Sequence, residues 1–166
     1  MAIKIAFLTL ATFSFTIVLS QQAKNTTQIE KTVATIDSII KSGSNTGVYV
    51  HPLFSDDGGD VFLRHLYTVD TSKRILHKAV YEYVNFGNTA FYYSDQRIVK
   101  AIVIDTSLIT KPYKCEYYFD NDSIFSVTEH GIPNSKNSWN KQTITSQAKL
   151  YLEQFSGICD MLDKRK

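Results

Sequence analysis

Tyr67, Tyr92 and Tyr117 stand 25 residues apart, and Asp70, Asp95 and Asp120 each follow three residues later. Around them lie LYTVDTSKRIL, FYYSDQRIVKA and YYFDNDSIFSV, where a β-prone run reaches an Asp and then resumes with Ile, Val or Phe. An Asp that opens a turn accepts hydrogen bonds from the backbone N–H groups ahead of it, which explains its recurrence. The spacing predicts three consecutive β-hairpins, about six strands in an antiparallel meander. Three copies at so short a period are too few for a solenoid.

Alternation assigns the faces. Val61, Leu63, His65, Tyr67 and Val69 share one side of the first strand, with Arg64, Thr68 and Asp70 opposite. Ile75, His77, Ala79, Tyr81 and Tyr83 share a side of the second, and Tyr113, Cys115, Tyr117 and Phe119 a side of the fifth. Half-buried antiparallel strands have this pattern. Ile98 to Ile104 is apolar except for Lys100, as expected of a central strand covered on both faces. A short strand candidate, Gly47 to Val50, precedes the repeat.

Two helices flank the meander. From Thr27 to Lys41, Ile29, Val33, Ile36 and Ile40 recur at i, i+4, i+7 and i+11. Thr27 with Glu30 forms a capping-box pattern, and Gly43 supplies a left-handed stop. A second stripe, Ala148, Tyr151, Leu152, Phe155, Ile158, Cys159 and Leu162, marks a helix from about Thr143 to Asp163. The expected architecture is a single α+β domain over 21–166, with both helices on one apolar face of the sheet.

This order of helix, meander and helix, with the stretch KCEYYFDNDSIFSV near its end, resembles a loose group of small exported bacterial proteins of unknown function. The resemblance covers Thr27 to His130. It implies the same fold and an exported compartment, and carries over no catalytic residue.

The compartment has its own signal. Lys4 precedes an uncharged apolar run from Ile5 to Leu19, and Val18 and Ser20 hold the small-residue positions before a cleavage point. The run is too short to span a bilayer at roughly 20 residues. Residues 1–20 read as a signal peptide, and the mature chain as secreted or periplasmic, without membrane insertion. Its near-neutral balance, +2 for the whole chain, excludes the basic footprint of a nucleic-acid binder.

Several groups of residues offer candidate chemistry. His65 and His77 on one hairpin would lie side by side if the turn were tight, close enough to share a proton or contact a metal; without a third ligand they read as core-edge histidines. Asp56, Asp57 and Asp60 lack the Ca²⁺-loop spacing and read as a solvated turn. Ser38 with Lys41, and Ser138 with Lys141, match Ser-x-x-Lys without its accompanying motifs. No metal site or cofactor is expected.

Tyr92-Tyr93 and Tyr117-Tyr118 put one ring on each strand face, so one of each pair is expected on an open sheet face, where Tyr suits recognition. The expected function is therefore a non-catalytic exported binding or interaction module using that Tyr-rich face, with a protein partner in preference to a glycan. The alternative is a small-molecule-binding or hydrolytic pocket between sheet and helices, served by His65 and His77. Cys115 and Cys159 are the two cysteines, both on faces expected to be buried, and an oxidising compartment favours a disulfide between them. Asn25 and Asn121 open glycosylation sequons.

Overall fold

The computed structural model describes residues 25–43, 47–54, 61–68, 75–83, 87–106, 112–132 and 140–164. The expected leader, the Asp56–Asp60 loop, Asp70 and Ser138 lie outside the described residues. Seven antiparallel strands form one sheet in chain order: β1 (Gly47–Phe54), β2 (Val61–Thr68), β3 (Lys78–Tyr83), β4 (Gly87–Ser94), β5 (Arg97–Asp105), β6 (Tyr113–Asp120) and β7 (Ser123–His130). Helix α1 spans 25–42 and α2 spans Lys141–Asp163. The three expected hairpins are β2–β3, β4–β5 and β6–β7, and the short strand candidate extends into β1.

The turns show why the repeat exists. Ser94 pairs with Arg97 and Asp120 with Ser123, leaving the two-residue loops 95–96 and 121–122. Asp95, Gln96, Asn121 and Asp122 all have φ between 47° and 62°. Paired left-handed residues make the type I′ turn, whose twist matches that of the strands it joins. Asp95 is thus a loop residue, whereas Asp120 is the last residue of its strand. The third hairpin runs one residue out of phase with the sequence spacing, and Tyr118, not Tyr117, corresponds to Tyr92.

Soon after each turn the pairing slips by one residue, leaving Val99 and Phe125 as the extra members of β-bulges. A bulge turns two successive side chains to one face, so Val99 and Lys100 both meet α1.

The helices do not share a face. The larger core lies between the sheet and α2, where Leu66, Phe91, Tyr93, Val103 and Phe119 meet Ile144, Ala148, Tyr151 and Phe155. A smaller core on the other side joins Val33 and Ile36 of α1 to Ala90 and Tyr92, with Val80, Val99 and Ile102 packed around it. Neighbours in the inner strands, Ala79 with Val80 and Ala101 with Ile102, send apolar groups to opposite sides, so both faces need cover. As expected of a doubly covered strand, β5 contributes to both cores.

In β2 the observed phase is opposite to the expected one. Leu66 enters the α2 core and Arg64 stacks on Tyr151, while His65 and Tyr67 lie half-buried on the α1 side. The long aliphatic stem of Arg64 lets a charged residue line a core.

Gly43, at φ 70°, ends α1, its N–H bonding the Ile40 carbonyl. The expected capping box does not form: Thr27 already lies within the helix, and Glu30 turns to the sheet. Asn140 caps α2 by accepting from the Thr143 N–H. No helix among the described residues is long and apolar enough to cross a membrane.

Candidate functional site

One ring of each pair, Tyr92–Tyr93 and Tyr117–Tyr118, is expected on an open sheet face, but all four rings are covered. Tyr92, Tyr93, Tyr117 and Tyr118 retain 3%, 0%, 5% and 7% exposure. With a helix on each face, the ring that one helix leaves uncovered is covered by the other. Tyr93 donates to the Ala148 carbonyl in α2 at 2.9 Å, and Tyr92 and Tyr118 point at α1.

On that side a polar clamp holds α1. Lys78, Tyr92, Lys100 and Tyr118 pair successively across β3, β4, β5 and β6. Asp37 receives Lys78 Nζ at 2.7 Å and the Tyr92 hydroxyl at 3.1 Å. Glu30, two helical turns earlier, receives Lys100 Nζ at 2.5 Å and the Tyr118 hydroxyl at 2.6 Å. Each ammonium also stands over its neighbouring ring, 4.8 Å for Lys78 on Tyr92 and 4.9 Å for Lys100 on Tyr118.

Lys100 is 2% exposed and completes its shell with Glu116 at 2.8 Å. Burial opposes its charge, but the hydrogen bonds it donates to Glu116 and Glu30 prevail and raise its pKa. Burial and the Glu30 hydrogen bond push the Tyr118 phenol up to about 12. Burial, reinforced by Asp37, raises Tyr92 further. These groups hold their protons throughout the neutral range, and the clamp ties α1 to the sheet.

The two histidines are not brought together. His65 pairs with Val80, while His77 precedes the β3 ladder and its N–H bonds the Tyr67 carbonyl. Three residues of strand, about 10 Å, lie between their levels. His65 stacks on Tyr67 at 6.1 Å, with Glu82 3.9 Å from Nε2. No group of three or more His, Cys, Asp or Glu among the described residues is placed to hold a metal ion.

Nor do the cysteines pair. Both belong to the α2 side, but they remain thiols with no disulfide between them. Cys115 sits opposite Val103, whereas Cys159 borders a small cavity beside Leu76 and Gln96, at the turn end of the sheet. From Val103 to Gln96 is seven residues of β5 and its turn, about 20 Å, far beyond the roughly 7 Å Cα limit of a disulfide. A shared core face is a weaker condition than a shared position along the strands.

A cleft of about 540 Å³ opens between α1 and the turn end of the sheet. Ile36, Ile39 and Ile75 supply its apolar lining; Lys31, Thr35, His77 and Asp95 supply polar groups. His77 lines it and His65 does not. Several of its polar groups are engaged locally. Thr32 and Thr35 donate to the carbonyls of Gln28 and Lys31, Ser94 donates to Asp95, and His77 Nδ1 bonds the Ile75 carbonyl at 2.8 Å. Because a carbonyl only accepts, that bond places the His77 proton on Nδ1.

Glu30, Asp37 and Arg64 are not among the residues that the sequence marks for a site. A signal for the first two was available: they stand seven residues apart and border the apolar stripe of α1, and the apolar run of β5 holds a single Lys. The chain matches no protein-family model, no curated protein and no solved structure.

Proposed function

We propose that this chain is a non-catalytic exported binding module whose ligand contact is the cleft between α1 and the hairpin ends, with a segment of a partner protein as occupant. The cleft carries the reading. Its volume falls within the roughly 300–1,000 Å³ of ligand sites, and it joins an apolar lining to a few polar groups. Two further observations support it. The helices cover both faces of the central strands β4, β5 and β6, so recognition moves to an edge of the α1 layer. The hydroxyls of Thr32 and Thr35 and the His77 ring are committed to backbone carbonyls, which suits a fixed surface better than proton transfer. Export rests on the apolar leader, and a protein segment on a lining that mixes Ile with Lys31 and Asp95.

A photo-crosslinking amino acid placed at Thr35, in the secreted or envelope fraction of the producing cells, is expected to yield one discrete adduct. The same group at Leu150, exposed on α2, is the control and should yield none. Thr35→Trp, which fills the cleft from an exposed position, should abolish interaction with the partner so identified. Equal labelling from both positions, or a partner indifferent to the Trp, would defeat the reading.

A further inference from the structure

Helix α1 lies across the sheet, not along it. Lys78, Tyr92, Lys100 and Tyr118 form one row from β3 to β6. Asp37 bonds the β3–β4 end of that row and Glu30 the β5–β6 end. Seven residues of helix advance about 10.5 Å, and two strand spacings cover about 9.6 Å, so the helix axis is nearly perpendicular to the strands. The cleft therefore also runs across the strands. One wall is the flank of α1 from Gln28 to Ile39; the other is made by strand-end residues Ile75, His77 and Tyr93 to Asp95. An occupant aligned with the cleft cannot join the sheet as a further strand, so side chains must carry its recognition.

The two ends of the cleft differ in chemistry. Towards the C-terminus of α1, Ile36 and Ile39 meet Ile75, which leads into β3. Towards the N-terminus, Lys31 faces the β4–β5 turn with its Asp95. Lys31 is the one lysine of the lining and Asp95 its one carboxylate, and no ion pair joins them among the described residues. Either charge alone would select an ion of opposite sign; together they disfavour both. A carboxamide is the neutral group that answers the two: its oxygen accepts from the ammonium, and its NH₂ donates to the carboxylate. From Lys31 to the Ile36–Ile39 pair is about 10 Å of helix. From Asp95 to Ile75 is one and a half strand spacings, roughly 7 Å. Residues i and i+3 of a polyproline II segment lie on one side, about 9 Å apart.

Resting on the reading of this cleft as the contact for a partner segment, we infer that the segment is a polyproline-II-type stretch carrying an aliphatic side chain and an Asn or Gln three residues apart. The aliphatic group seats among Ile36, Ile39 and Ile75, and the carboxamide between Lys31 and Asp95.

The probes are the blocked tetrapeptides Leu-Pro-Pro-Gln and Gln-Pro-Pro-Leu, titrated into the full chain by amide-shift NMR. At least one order is expected to shift the amides of 31–39 and 93–95 saturably. Exchanging its Gln for Glu or for Lys should weaken binding about fivefold, because one hydrogen bond is lost and a like charge is met. Asp95→Asn should relieve the penalty on the Glu peptide alone, and Lys31→Met the penalty on the Lys peptide alone. Both positions are exposed, and Asn tolerates the left-handed turn at 95, so both variants should fold. Equal binding of the Gln, Glu and Lys peptides, or a ranking that neither substitution moves, overturns the inference. If the Thr35 crosslinker yields its adduct while neither tetrapeptide shifts the cleft, the inference falls and the cleft reading stands. If both fail, the reading falls with it.

Discussion

Tyr92 and Tyr118 occupy the same position in successive hairpins, and each sends its hydroxyl to a carboxylate on one side of α1. Their strands pair through Lys100, which touches both systems: it is opposite Tyr92 in one ladder and Tyr118 in the next. The hairpin repeat thus produces a periodic row of side chains on the α1 face. Glu30 and Asp37, two turns apart on α1, match it at two points. Few residues of α1 are fully buried, so this polar match positions the helix as much as apolar packing does.

Lys100 should therefore be the residue on which the α1 layer depends most. Lys100→Ala removes the cation between Glu30 and Glu116 and leaves a cavity, a combination expected to cost about 3–5 kcal/mol. Glu30→Gln removes only a half-exposed partner and should cost about 1 kcal/mol. Urea unfolding measures both. Equal costs would mean that Lys100 is anchored by something other than these carboxylates.

Acid should loosen the same cluster. Burial opposes ionisation of Glu116, but hydrogen bonds from Lys100 and Lys114 prevail and lower its pKa below the ordinary 4.5. A depressed folded value means stability is present above 4.5 and lost as pH falls through the folded pKa. The urea midpoint should hold steady at neutral pH and decline below about 4.5. Glu116→Gln should show a shallower acid decline; an unchanged slope would place the acid sensitivity elsewhere.

The alkaline limb reports on the tyrosines. Burial leads the causes that raise the phenol pKa of Tyr67, Tyr92, Tyr93, Tyr113, Tyr117 and Tyr118, six of the ten tyrosines in the chain. A raised folded value means stability present below pH 10 and lost as pH climbs from there toward the folded pKa. Tyrosinate absorbance of the native protein at pH 11 should stay well under that of the urea-unfolded chain. Coinciding curves would show rings open to solvent.

How far the fold was legible depended on the kind of information each feature needed. Hairpins, turns and helices were readable because Asp95, the Asn121-Asp122 pair and the α1 stripe act locally. The distribution of helices over two faces was not, because Ala79 and Val80 look alike in an alternating string whichever side is covered. Phase failed in β2 for the same reason: Arg64 reads as a solvent residue, and only the Tyr151 ring reveals that it points inward. The candidate site was least legible. It joins α1 to loop 95–96, as the Arg64–Tyr151 contact joins β2 to α2, and such pairs are set by packing rather than by spacing along the chain.

Thiol chemistry separates the two cysteines. Cys115 is 0% exposed and Cys159 is half-buried. Iodoacetamide without reductant should add one group to the native chain at Cys159 and a second, at Cys115, only on unfolding. A chain that gains none in denaturant would contain the disulfide that this geometry excludes.

The turns offer a gain in stability. Gln96 adopts φ 60° and Asp122 φ 62° at the second loop position of their type I′ turns. An L-residue with a Cβ pays roughly 1–2 kcal/mol for the left-handed region, and Gly pays almost nothing there. The larger conformational entropy of Gly in the unfolded chain returns part of that difference. Gln96→Gly and Asp122→Gly should each stabilise by about 0.5–1 kcal/mol and leave the pairs Ser94–Arg97 and Asp120–Ser123 intact. The two loops lie at the same end of the sheet and are linked by Arg97, so the double variant reports their coupling rather than a simple sum. Arg97 contacts Asn121 Oδ1 at 3.0 Å, and neither substitution removes that bond. Gln96→Ala is the control: it keeps the Cβ and should gain nothing. If Gly and Ala variants unfold at the same urea concentration, the left-handed turn assignment fails, and with it the one-residue offset that aligns Tyr118 with Tyr92.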